Sequence, residues 1–347
     1  MNDPFERYHC QIALPGFGIS SQELLNDAKI LIVGMGGLGC PSAQYLASSG
    51  LGTIGLADDD TVSESNLHRQ ILYAPEDIGK SKVDIAAKKL NHQNPSVKII
   101  PFNFRVTSDN VMDLISDFDL IIEGTDNFET KCLLNDACIL SGKPLVYGAI
   151  YQYEGQVSIW NVKQKDGNFS PNYRDVFPNA ENAQVPNCAE GGVIPTLAGI
   201  VGCMQANEAI KYFTNPEDSL AGKLWMMNVL NGKTQIIKLR KTSVQITGLA
   251  QTVKTITFEL LMQEKDHFEI IDVRTPQEHK QFNIGGINFP VEHVQNYSDY
   301  ISGCDRPILV YCQSGKRSAE AVRKIKKIFP EREVLSLKDG IQNIINK

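Results

Sequence analysis

Apolar runs of buried-strand length alternate with helical patterns through the first half of the chain. The apolar runs lie at 28–33, 53–57, 97–101, 120–123 and 145–149. The helical patterns lie at 38–49, 82–90 and 131–140. Strands that alternate with helices form parallel sheets covered by helices on both faces, so the pattern predicts a doubly wound α/β domain.

The pattern changes beyond residue 150. Residues 155–160 and 224–239 alternate between apolar and polar positions, and Asn231-Gly232 is a hairpin signal, so an antiparallel extension of the sheet is expected. The polar segment 163–187 between them contains three prolines. Irregular segments of this length are usually functional or mobile.

A second, smaller α/β pattern follows a polar stretch. It consists of apolar runs at 268–273, 307–311 and 333–337 and a helical pattern at 318–329. Such a unit is close to the minimum size of a domain. The expected boundaries are 1–243 for the first domain, 244–254 for a linker and 255–347 for the second domain.

Composition narrows the classes of protein. The 347 residues exceed what one hydrophobic core usually supports, and 42% hydrophobic with 21% charged residues is ordinary for globular chains. The net charge of −6 disfavours a nucleic-acid binder, which usually carries a basic face. No apolar stretch approaches the roughly 20 residues that span a bilayer, and the polar start lacks a secretory pattern, so no membrane association and a cytoplasmic location are expected.

A glycine-rich turn joins the first strand to the first helix, where residues 34–39 read Gly-Met-Gly-Gly-Leu-Gly. Gly34 permits the tight turn, Gly36 lets a phosphate approach the backbone, and Gly39 allows close packing of helix and strand. The helix N-terminus offers free N–H groups to phosphates, and Asp58 at the end of the second strand suits ribose hydroxyls. The turn predicts a Rossmann-like nucleotide site.

The turn alone leaves the nucleotide open. A nicotinamide-dependent oxidoreductase is one interpretation. The dense polar run 58–70 disfavours it, because a redox cofactor carries its own chemistry, whereas Arg69 and Lys82 could neutralise a triphosphate during displacement at phosphorus. Taken alone, each of these cations is better explained as part of a solvated charged face.

Five motifs in order resemble the ThiF/MoeB/HesA adenylyltransferases, the bacterial relatives of ubiquitin-activating enzymes. They are Gly34–Gly39, Asp58-x-Asp60-x-Val62, Ser65-Asn66-Leu67-x-Arg69-Gln70, Gly79-Lys80-x-Lys82 and Gly124-Thr125-Asp126-Asn127, with a further match at 185–192. The resemblance covers roughly residues 5–240. It implies adenylation of the C-terminal glycine of a ubiquitin-like sulfur carrier protein ending in Gly-Gly, with ATP and Mg²⁺, release of pyrophosphate, and a homodimer.

The resemblance also implies roles for residues. Asp58 would hold the ribose, and Asn66, Arg69 and Lys82 would contact the phosphates. Asp126 would hold magnesium and steer the carrier carboxylate into line with the α-phosphate. The nucleotide-binding candidates are Gly34, Gly36, Gly37, Gly39, Asp58, Asp60, Asn66, Arg69, Gln70 and Lys82, and the catalytic candidates of this domain are Arg69, Lys82 and Asp126.

The opening segment departs from the family pattern Arg-Tyr-x-Arg-Gln. Residues 7–11 read Arg-Tyr-His-Cys-Gln, so Cys10 replaces the arginine that in relatives reaches the partner subunit's ATP site. Arg7 could substitute, or adenylation could be slower. MoeB-like relatives also carry two Cys-x-x-Cys pairs. In this chain Asn172 and Asp175 occupy the positions of the first pair. The second pair would fall near 241–248, where no cysteine occurs, so no structural zinc is expected.

Two of the eight cysteines are candidate catalytic nucleophiles. Cys188 precedes a glycine-rich helix start, where a thiol pKa can be lowered. The resemblance makes Cys188 the crossover-loop cysteine, and a buried structural thiol is the alternative. Cys312 follows an apolar strand and opens a helix, so the loop would aim N–H groups and the charges of Lys316 and Arg317 at the sulfur.

The loop around Cys312 resembles the rhodanese sulfurtransferase site. Four residues separate Cys312 from Arg317, which is the shorter sulfurtransferase spacing, whereas cysteine phosphatases have five. Residues 271–278, Ile-Asp-Val-Arg-x-x-x-Glu, resemble the rhodanese segment before the loop, so this likeness covers roughly 255–345. It implies a Cys312 persulfide, with Arg317 as a second catalytic candidate.

Together the two resemblances predict a fused adenylyltransferase and sulfurtransferase. Sulfur from a cysteine desulfurase or another donor would pass through the persulfide to the carrier adenylate and give a thiocarboxylate. The thiamine, molybdenum cofactor and tRNA thiolation pathways all stay open. The alternatives are an adenylation-impaired, carrier-binding scaffold with rhodanese activity only, because Cys10 replaces an arginine, and the nicotinamide-dependent oxidoreductase.

Overall fold

The computed structural model describes residues 5–178, 180, 191–242 and 244–345, and the chain divides into two compact units, Met1–Gln251 and Thr252–Lys347. The strands of the first unit are β1 (Lys29–Val33), β2 (Thr53–Ala57), β3 (Lys98–Phe102), β4 (Leu120–Glu123), β5 (Leu145–Tyr151), β6 (Glu154–Trp160), β7 (Lys223–Asn228) and β8 (Lys233–Lys238). Its helices are α1 (His9–Ile12), α2 (Gly18–Asp27), α3 (Gly39–Ser48), α4 (Lys82–Gln93), α5 (Val111–Ser116), α6 (Phe128–Ser141), α7 (Tyr173–Val176) and α8 (Pro195–Thr214).

The first unit is built on one eight-stranded sheet in the order β3-β2-β1-β4-β5-β6-β7-β8. Strands β1 to β5 pair in parallel, and β6, β7 and β8 add antiparallel pairs at one side. This confirms the predicted doubly wound, Rossmann-like sheet with an antiparallel extension. The hairpin signal Asn231-Gly232 lies in the turn at 229–232 that separates β7 from β8.

The central strand β1 is buried on both faces. Ile30 and Ile32 enter the core that also contains side chains of α3, α4 and α8, whereas Leu31 and Val33 enter the core that contains side chains of α5, α6 and α7. A strand covered by helices on both faces has apolar residues at every position, which explains the uninterrupted apolar run in the sequence.

The second unit contains a five-stranded parallel sheet in the order β11-β10-β12-β13-β9. Its strands are β9 (Thr255–Ile256), β10 (Glu269–Asp272), β11 (Ile287–Asn288), β12 (Ile308–Tyr311) and β13 (Val334–Leu337). Its helices are α9 (Phe258–Gln263), α10 (Pro276–Gln281), α11 (Ser298–Gly303), α12 (Lys316–Ile328) and α13 (Gln342–Ile345). The predicted small α/β domain is confirmed. Among the described residues of the whole chain, no helix combines the length and apolar character needed to cross a membrane.

Candidate functional site

The candidate nucleotide site lies where the strand order of the first sheet reverses, between β1 and β4. Ligands of such sheets bind at the carboxyl ends of the strands at this point. Gly34, directly after β1, has a φ of +95°, and a Cβ at this position would lie 2.7 Å from the carbonyl carbon of Gly124, directly after β4. Only glycine fits at residue 34, and the loops after β1 and β4 are in contact there.

Asp58, at the end of β2, is hydrogen-bonded to the glycine turn. One carboxylate oxygen accepts from the Met35 N–H at 2.6 Å, and the other accepts from the Asp60 N–H at 2.8 Å. Burial raises the pKa of Asp58. A carboxylate offers about four lone-pair directions, so these two bonds leave acceptor capacity for ribose hydroxyls, as the predicted role requires.

Lys82 and Asp60 form an ion pair beside Asp58. The Lys82 Nζ lies 3.0 Å from an Asp60 carboxylate oxygen, and the Lys82 side chain is 5% exposed while that of Asp60 is 56% exposed. Lys82 begins α4, where the Ser81 hydroxyl caps the helix by accepting from the Asp84 N–H at 3.4 Å. An ammonium has three donors, so a phosphate could share Lys82 with Asp60.

The glycine turn is also flanked by Arg69 and Gln70, and Asn66 is hydrogen-bonded to Arg69. The Arg69 Nη2 donates to Asn66 Oδ1 at 2.8 Å. A Cβ at Gly37 would lie 3.5 Å from the Arg69 Cγ, and a Cβ at Gly36 would lie 3.6 Å from the Gln70 Nε2. The structure therefore brings this predicted group next to the turn.

Asp126 is exposed on the loop between β4 and α6. Asn127 caps α6, because its side chain accepts from the Thr130 N–H at 2.8 Å, and the helix consequently begins at Phe128, three residues earlier than predicted. Just before the loop, the buried Glu123 pairs with the buried Lys131. Sequence analysis does not identify this pair, although an acidic residue that ends an apolar strand is a signal for it.

The oxygen donors at the crevice are of the kind that Mg²⁺ prefers. Proteins usually hold this ion with one or two carboxylates and substrate phosphates. The exposed carboxylate of Asp126 fits that requirement, and the carboxylates of Asp58, Asp59 and Asp60 form a second acidic group with atoms within 4.8 Å of one another.

The positions of the missing Cys-x-x-Cys pairs are joined by hydrogen bonds. One Asp175 carboxylate oxygen accepts from the Asn172 N–H and side-chain amide, both at 2.8 Å. The other accepts from the Thr242 N–H at 2.6 Å and from the Thr242 hydroxyl at 2.7 Å. Asp175 thus connects the two segments in which relatives place their cysteines, and the absence of structural zinc stays a prediction.

Arg7 and Cys10, in the segment that departs from the family pattern, are not among these contacts. Cys10 is exposed on α1, and Arg7 donates from Nη1 to the carbonyl oxygen of Gln93 at 3.0 Å. Cys188 lies outside the described residues, so its predicted role stays a prediction.

Cys312, directly after β12, is buried in the second unit. Its Sγ accepts from the Gly315 N–H at 3.2 Å and from the Ser318 hydroxyl at 3.6 Å. Gly315 has a φ of +86° and precedes α12, so the loop turns tightly enough to aim this N–H at the sulfur. Donors that point at a thiolate stabilise its charge.

Arg317 is paired with Glu278. Its Nη1 and Nη2 donate to the two Glu278 carboxylate oxygens at 2.8 Å and 2.6 Å. The Arg317 guanidinium holds the pKa of Glu278 at about 2, and the hydrogen bonds to Glu278 raise the pKa of Arg317. The predicted catalytic arginine is therefore anchored beside the thiol by an acidic partner whose pairing the sequence does not reveal.

A buried ion pair supports the same loop from β10. The Arg274 Nη2 donates to an Asp272 carboxylate oxygen at 2.7 Å. The His279 Nδ1 lies 2.8 Å from the same oxygen. Arg274 reaches the Gln313 side chain at 3.5 Å and lies over the Tyr311 ring, with its Cζ 5.5 Å from the ring centroid. The residues on either side of Cys312 are thus packed against β10.

Two family models match the chain. The model of the ThiF family matches residues 8–247. The chain belongs to the ThiF family. The model of the rhodanese-like domain matches residues 257–347, so a rhodanese-like domain follows the ThiF domain. Both resemblances inferred from the motifs are confirmed.

Known relatives agree with this assignment. The chain is 37% identical over 345 residues to the probable adenylyltransferase/sulfurtransferase MoeZ of Mycobacterium tuberculosis, with 92% of this chain and 88% of MoeZ covered. It is 41% identical over 240 residues to the sulfur carrier protein adenylyltransferase of Thermus thermophilus, with 69% of this chain and 89% of that protein covered. The chain is an enzyme of the adenylyltransferase and sulfurtransferase class, which disfavours the oxidoreductase interpretation.

A solved structure of Escherichia coli MccB with AMPCPP and MccA shares the fold. The TM-score is 0.60 at 19% sequence identity, with 71% of this chain and 75% of that chain covered. At this identity the likeness concerns the fold alone.

Proposed function

We propose that the ThiF domain adenylates the C-terminal glycine of a ubiquitin-like sulfur carrier protein ending in Gly-Gly, and that the rhodanese domain delivers sulfur to the adenylate from a Cys312 persulfide. The product is a carrier thiocarboxylate. The relatives support both halves, since one is named for adenylyl and sulfur transfer and the other for a sulfur carrier protein.

The observation that carries the adenylation half is the group of side chains around residues 34–39. Asp58 accepts a hydrogen bond from the turn, and Lys82 forms an ion pair with the nearby Asp60. Arg69 packs against Gly37. A nucleotide with its ribose at Asp58 would present its phosphates to both cations. Attack of a weak carboxylate nucleophile at phosphorus depends on positioning and on charge neutralisation, and this group offers both.

In the adenylation step, an oxygen of the carrier carboxylate attacks the α-phosphorus of ATP, and pyrophosphate leaves. Arg69 and Lys82 neutralise the charge of the leaving group, while Asn66 orients the Arg69 guanidinium. Asp126 would bind Mg²⁺ and orient the attacking carboxylate. Mg²⁺, when bound there, supplies further charge neutralisation at the phosphates.

In the sulfur step, the Cys312 thiolate accepts sulfane sulfur from a cysteine desulfurase persulfide or another donor, and the donor leaves as its thiol or sulfite. The terminal sulfur of the new persulfide attacks the carbonyl carbon of the carrier adenylate, and AMP leaves. This forms an acyl disulfide with Cys312. A second thiolate attacks the Cys312 sulfur, so that a disulfide forms between this thiol and Cys312 and the thiocarboxylate leaves, and a further thiol reduces that disulfide to restore Cys312. Cys188 stays a candidate for the second thiolate.

We propose domains over 1–243 and 255–347 joined by a linker over 244–254, a homodimer, and a cytoplasmic location. Large apolar side chains that are more than half exposed near the N-terminus support a protein partner there; they are Leu14, Ile19, Leu24 and Tyr45. The carrier decides among the thiamine, molybdenum cofactor and tRNA thiolation pathways.

An ATP–pyrophosphate exchange assay tests the adenylation half. We expect exchange that requires Mg²⁺ and a carrier ending in Gly-Gly, and no exchange when the last glycine of the carrier is removed. A chain that transfers sulfur from thiosulfate to cyanide but never supports exchange would instead be the adenylation-impaired scaffold. A titration with NADH, which should show no binding, separates the oxidoreductase alternative.

A further inference from the structure

A buried ion pair lies beside the Asp126 loop. The Lys131 ammonium on α6 contacts the Glu123 carboxylate at the end of β4, and the two side chains are 7% and 0% exposed. Buried ion pairs often add little net stability, because removing both charges from water offsets their mutual attraction. The pair therefore needs an explanation other than stability.

Both members of the pair hold the residue that precedes Asp126. One Glu123 carboxylate oxygen accepts from the Thr125 N–H at 2.7 Å and from the Thr125 hydroxyl at 2.6 Å. The Lys131 Nζ donates to the Thr125 carbonyl oxygen at 2.9 Å. The N–H and the carbonyl of Thr125 are thus both fixed by one ion pair.

The pair is itself tied to neighbouring elements. The Lys131 Nζ donates to the Gly148 carbonyl oxygen on β5 at 3.0 Å, and the fully buried Gln205 of α8 donates from Nε2 to the Glu123 carbonyl oxygen at 2.6 Å. On the other side of Asp126, Asn127 caps α6. Asp126 therefore has an exposed side chain on a backbone that is fixed before and after it.

We propose that Glu123 and Lys131 are positioning residues, which hold the Asp126 carboxylate at the place where it meets magnesium and the carrier carboxylate. This inference rests on the proposed adenylation function. Groups that orient a metal-binding carboxylate commonly change metal affinity or activity by about 10- to 100-fold when they are removed. A misplaced Asp126 would weaken the use of Mg²⁺ and leave the binding of free ATP unchanged.

The test is a double-mutant cycle in the full chain with Lys131→Met and Asp126→Ala. In ATP–pyrophosphate exchange, Lys131→Met should raise the Mg²⁺ concentration that gives the half-maximal rate by about tenfold or more. In calorimetric titrations with ATP, Lys131→Met should weaken binding only when Mg²⁺ is present. It should cause no further loss in the Asp126→Ala background, because it acts through Asp126. Lys131→Arg, which keeps the charge, should retain most of the Mg²⁺ response.

A second buried ion pair in the same unit provides the matched control. Arg174 donates to the two Asp136 carboxylate oxygens at 2.7 Å and 2.8 Å, and neither residue contacts the Asp126 loop through a described hydrogen bond. The control variant, Arg174→Met with Asp136→Asn, should lower the melting temperature without changing the Mg²⁺ requirement. If Lys131→Met does not fold, the variant that combines it with Glu123→Gln removes both charges and takes its place.

The outcomes separate the two proposals. If the Lys131 variants change the Mg²⁺ requirement no more than the control does, or if their effects add fully to that of Asp126→Ala, the positioning role is wrong while adenylation stands. If the wild-type chain shows neither exchange nor ATP binding, the proposed function is wrong, and the positioning role is overturned with it.

Discussion

The two units build their candidate sites in different ways. In the ThiF domain, Asp58, Lys82 and Asp126 come from segments far apart in the sequence, and the order of the strands brings these segments to the same edge of the sheet. In the rhodanese domain, Cys312 and Gly315 belong to one loop, which is complete within a few residues. The distributed site takes its candidate residues from several segments, whereas the local loop supplies its own sulfur and N–H donor and takes support from Arg274 and Glu278.

The sites also differ in the exposure of their reactive groups. Asp60 and Asp126 are exposed, as a crevice that admits a nucleotide and a protein tail requires. Cys312 is buried, and the charge of Arg317 is balanced by Glu278. A buried thiol with hydrogen-bond donors suits a single transferred sulfur atom. The comparison therefore predicts that the two activities can be removed separately.

The largest expected effect is that of Cys312→Ser. Without a thiolate no persulfide forms, so transfer of sulfur from thiosulfate to cyanide should fall to the background rate. ATP–pyrophosphate exchange by the same variant should stay within about twofold of wild type, because the crevice is untouched. Cys304→Ser is the control and should keep both activities. Residual sulfur transfer by Cys312→Ser would refute the persulfide role.

The converse change is Asp126→Ala. Loss of the carboxylate that we propose binds Mg²⁺ should lower the exchange rate by about 100-fold or more at fixed Mg²⁺, as removal of other charge-stabilising groups does. Sulfur transfer should be unchanged. Asp113→Ala, an exposed carboxylate on α5, is the control for charge alone. A loss of both activities in Asp126→Ala would mean that the sites are not separable.

A smaller effect is expected for Glu278→Gln. This variant frees Arg317 from its paired geometry, so sulfur transfer should fall by about tenfold. Glu331→Gln, an exposed residue of the same unit, should change nothing. An unchanged rate in Glu278→Gln would show that Arg317 needs no anchor.

The Glu278 pair also makes stability depend on pH. Pairing with Arg317 lowers the pKa of Glu278 from 4.5 to about 2, so the stabilisation is fully present above about pH 4.5 and is lost as the pH falls towards 2. The melting temperature of Glu278→Gln should lie below that of wild type at pH 6, and the difference should shrink as the pH falls from 4.5 towards 2. A difference independent of pH would contradict the ion pair as its cause.

The smallest effect is expected at Asp175, outside both sites. Asp175→Ala removes the bonds that join Asn172 to Thr242 and should cost about 1–3 kcal/mol of stability without changing the kinetics of exchange. Because this connection contains no thiolate, treatment of the wild-type chain with a zinc chelator should leave its melting temperature unchanged. A drop on chelation would show that a structural metal is present after all.

The same contrast explains how much the sequence reveals. The strands β1, β2 and β4 are predicted within one residue because each is an uninterrupted apolar run between turn signals, and the Cys312 loop is predicted because its whole pattern is contiguous. A helix start is expected just after Cys188, but the extent of α8 is not predicted. Its buried residues lie on one side, yet small and apolar residues also occur on the other side, so the sequence gives no clear amphipathic period.

Ion pairs between different elements are the main omission. Lys131 looks like a solvated residue on a helix until the fold brings it to Glu123, and Glu278 lies 39 residues before Arg317. A single residue such as Glu123, an acid that ends an apolar strand, can indicate a buried partner but does not identify that partner. The supports of a site, unlike its motifs, therefore become visible only when the structure places the elements together.

The most direct test of the whole account is mass spectrometry of a Gly-Gly carrier incubated with the full chain, ATP, Mg²⁺, thiosulfate and a thiol reductant. We expect a carrier in which one C-terminal oxygen is replaced by sulfur. We expect no such product without ATP, with Asp126→Ala or with Cys312→Ser. A thiocarboxylate that forms without ATP or with Cys312→Ser, or an unmodified carrier under the complete conditions, would contradict the account.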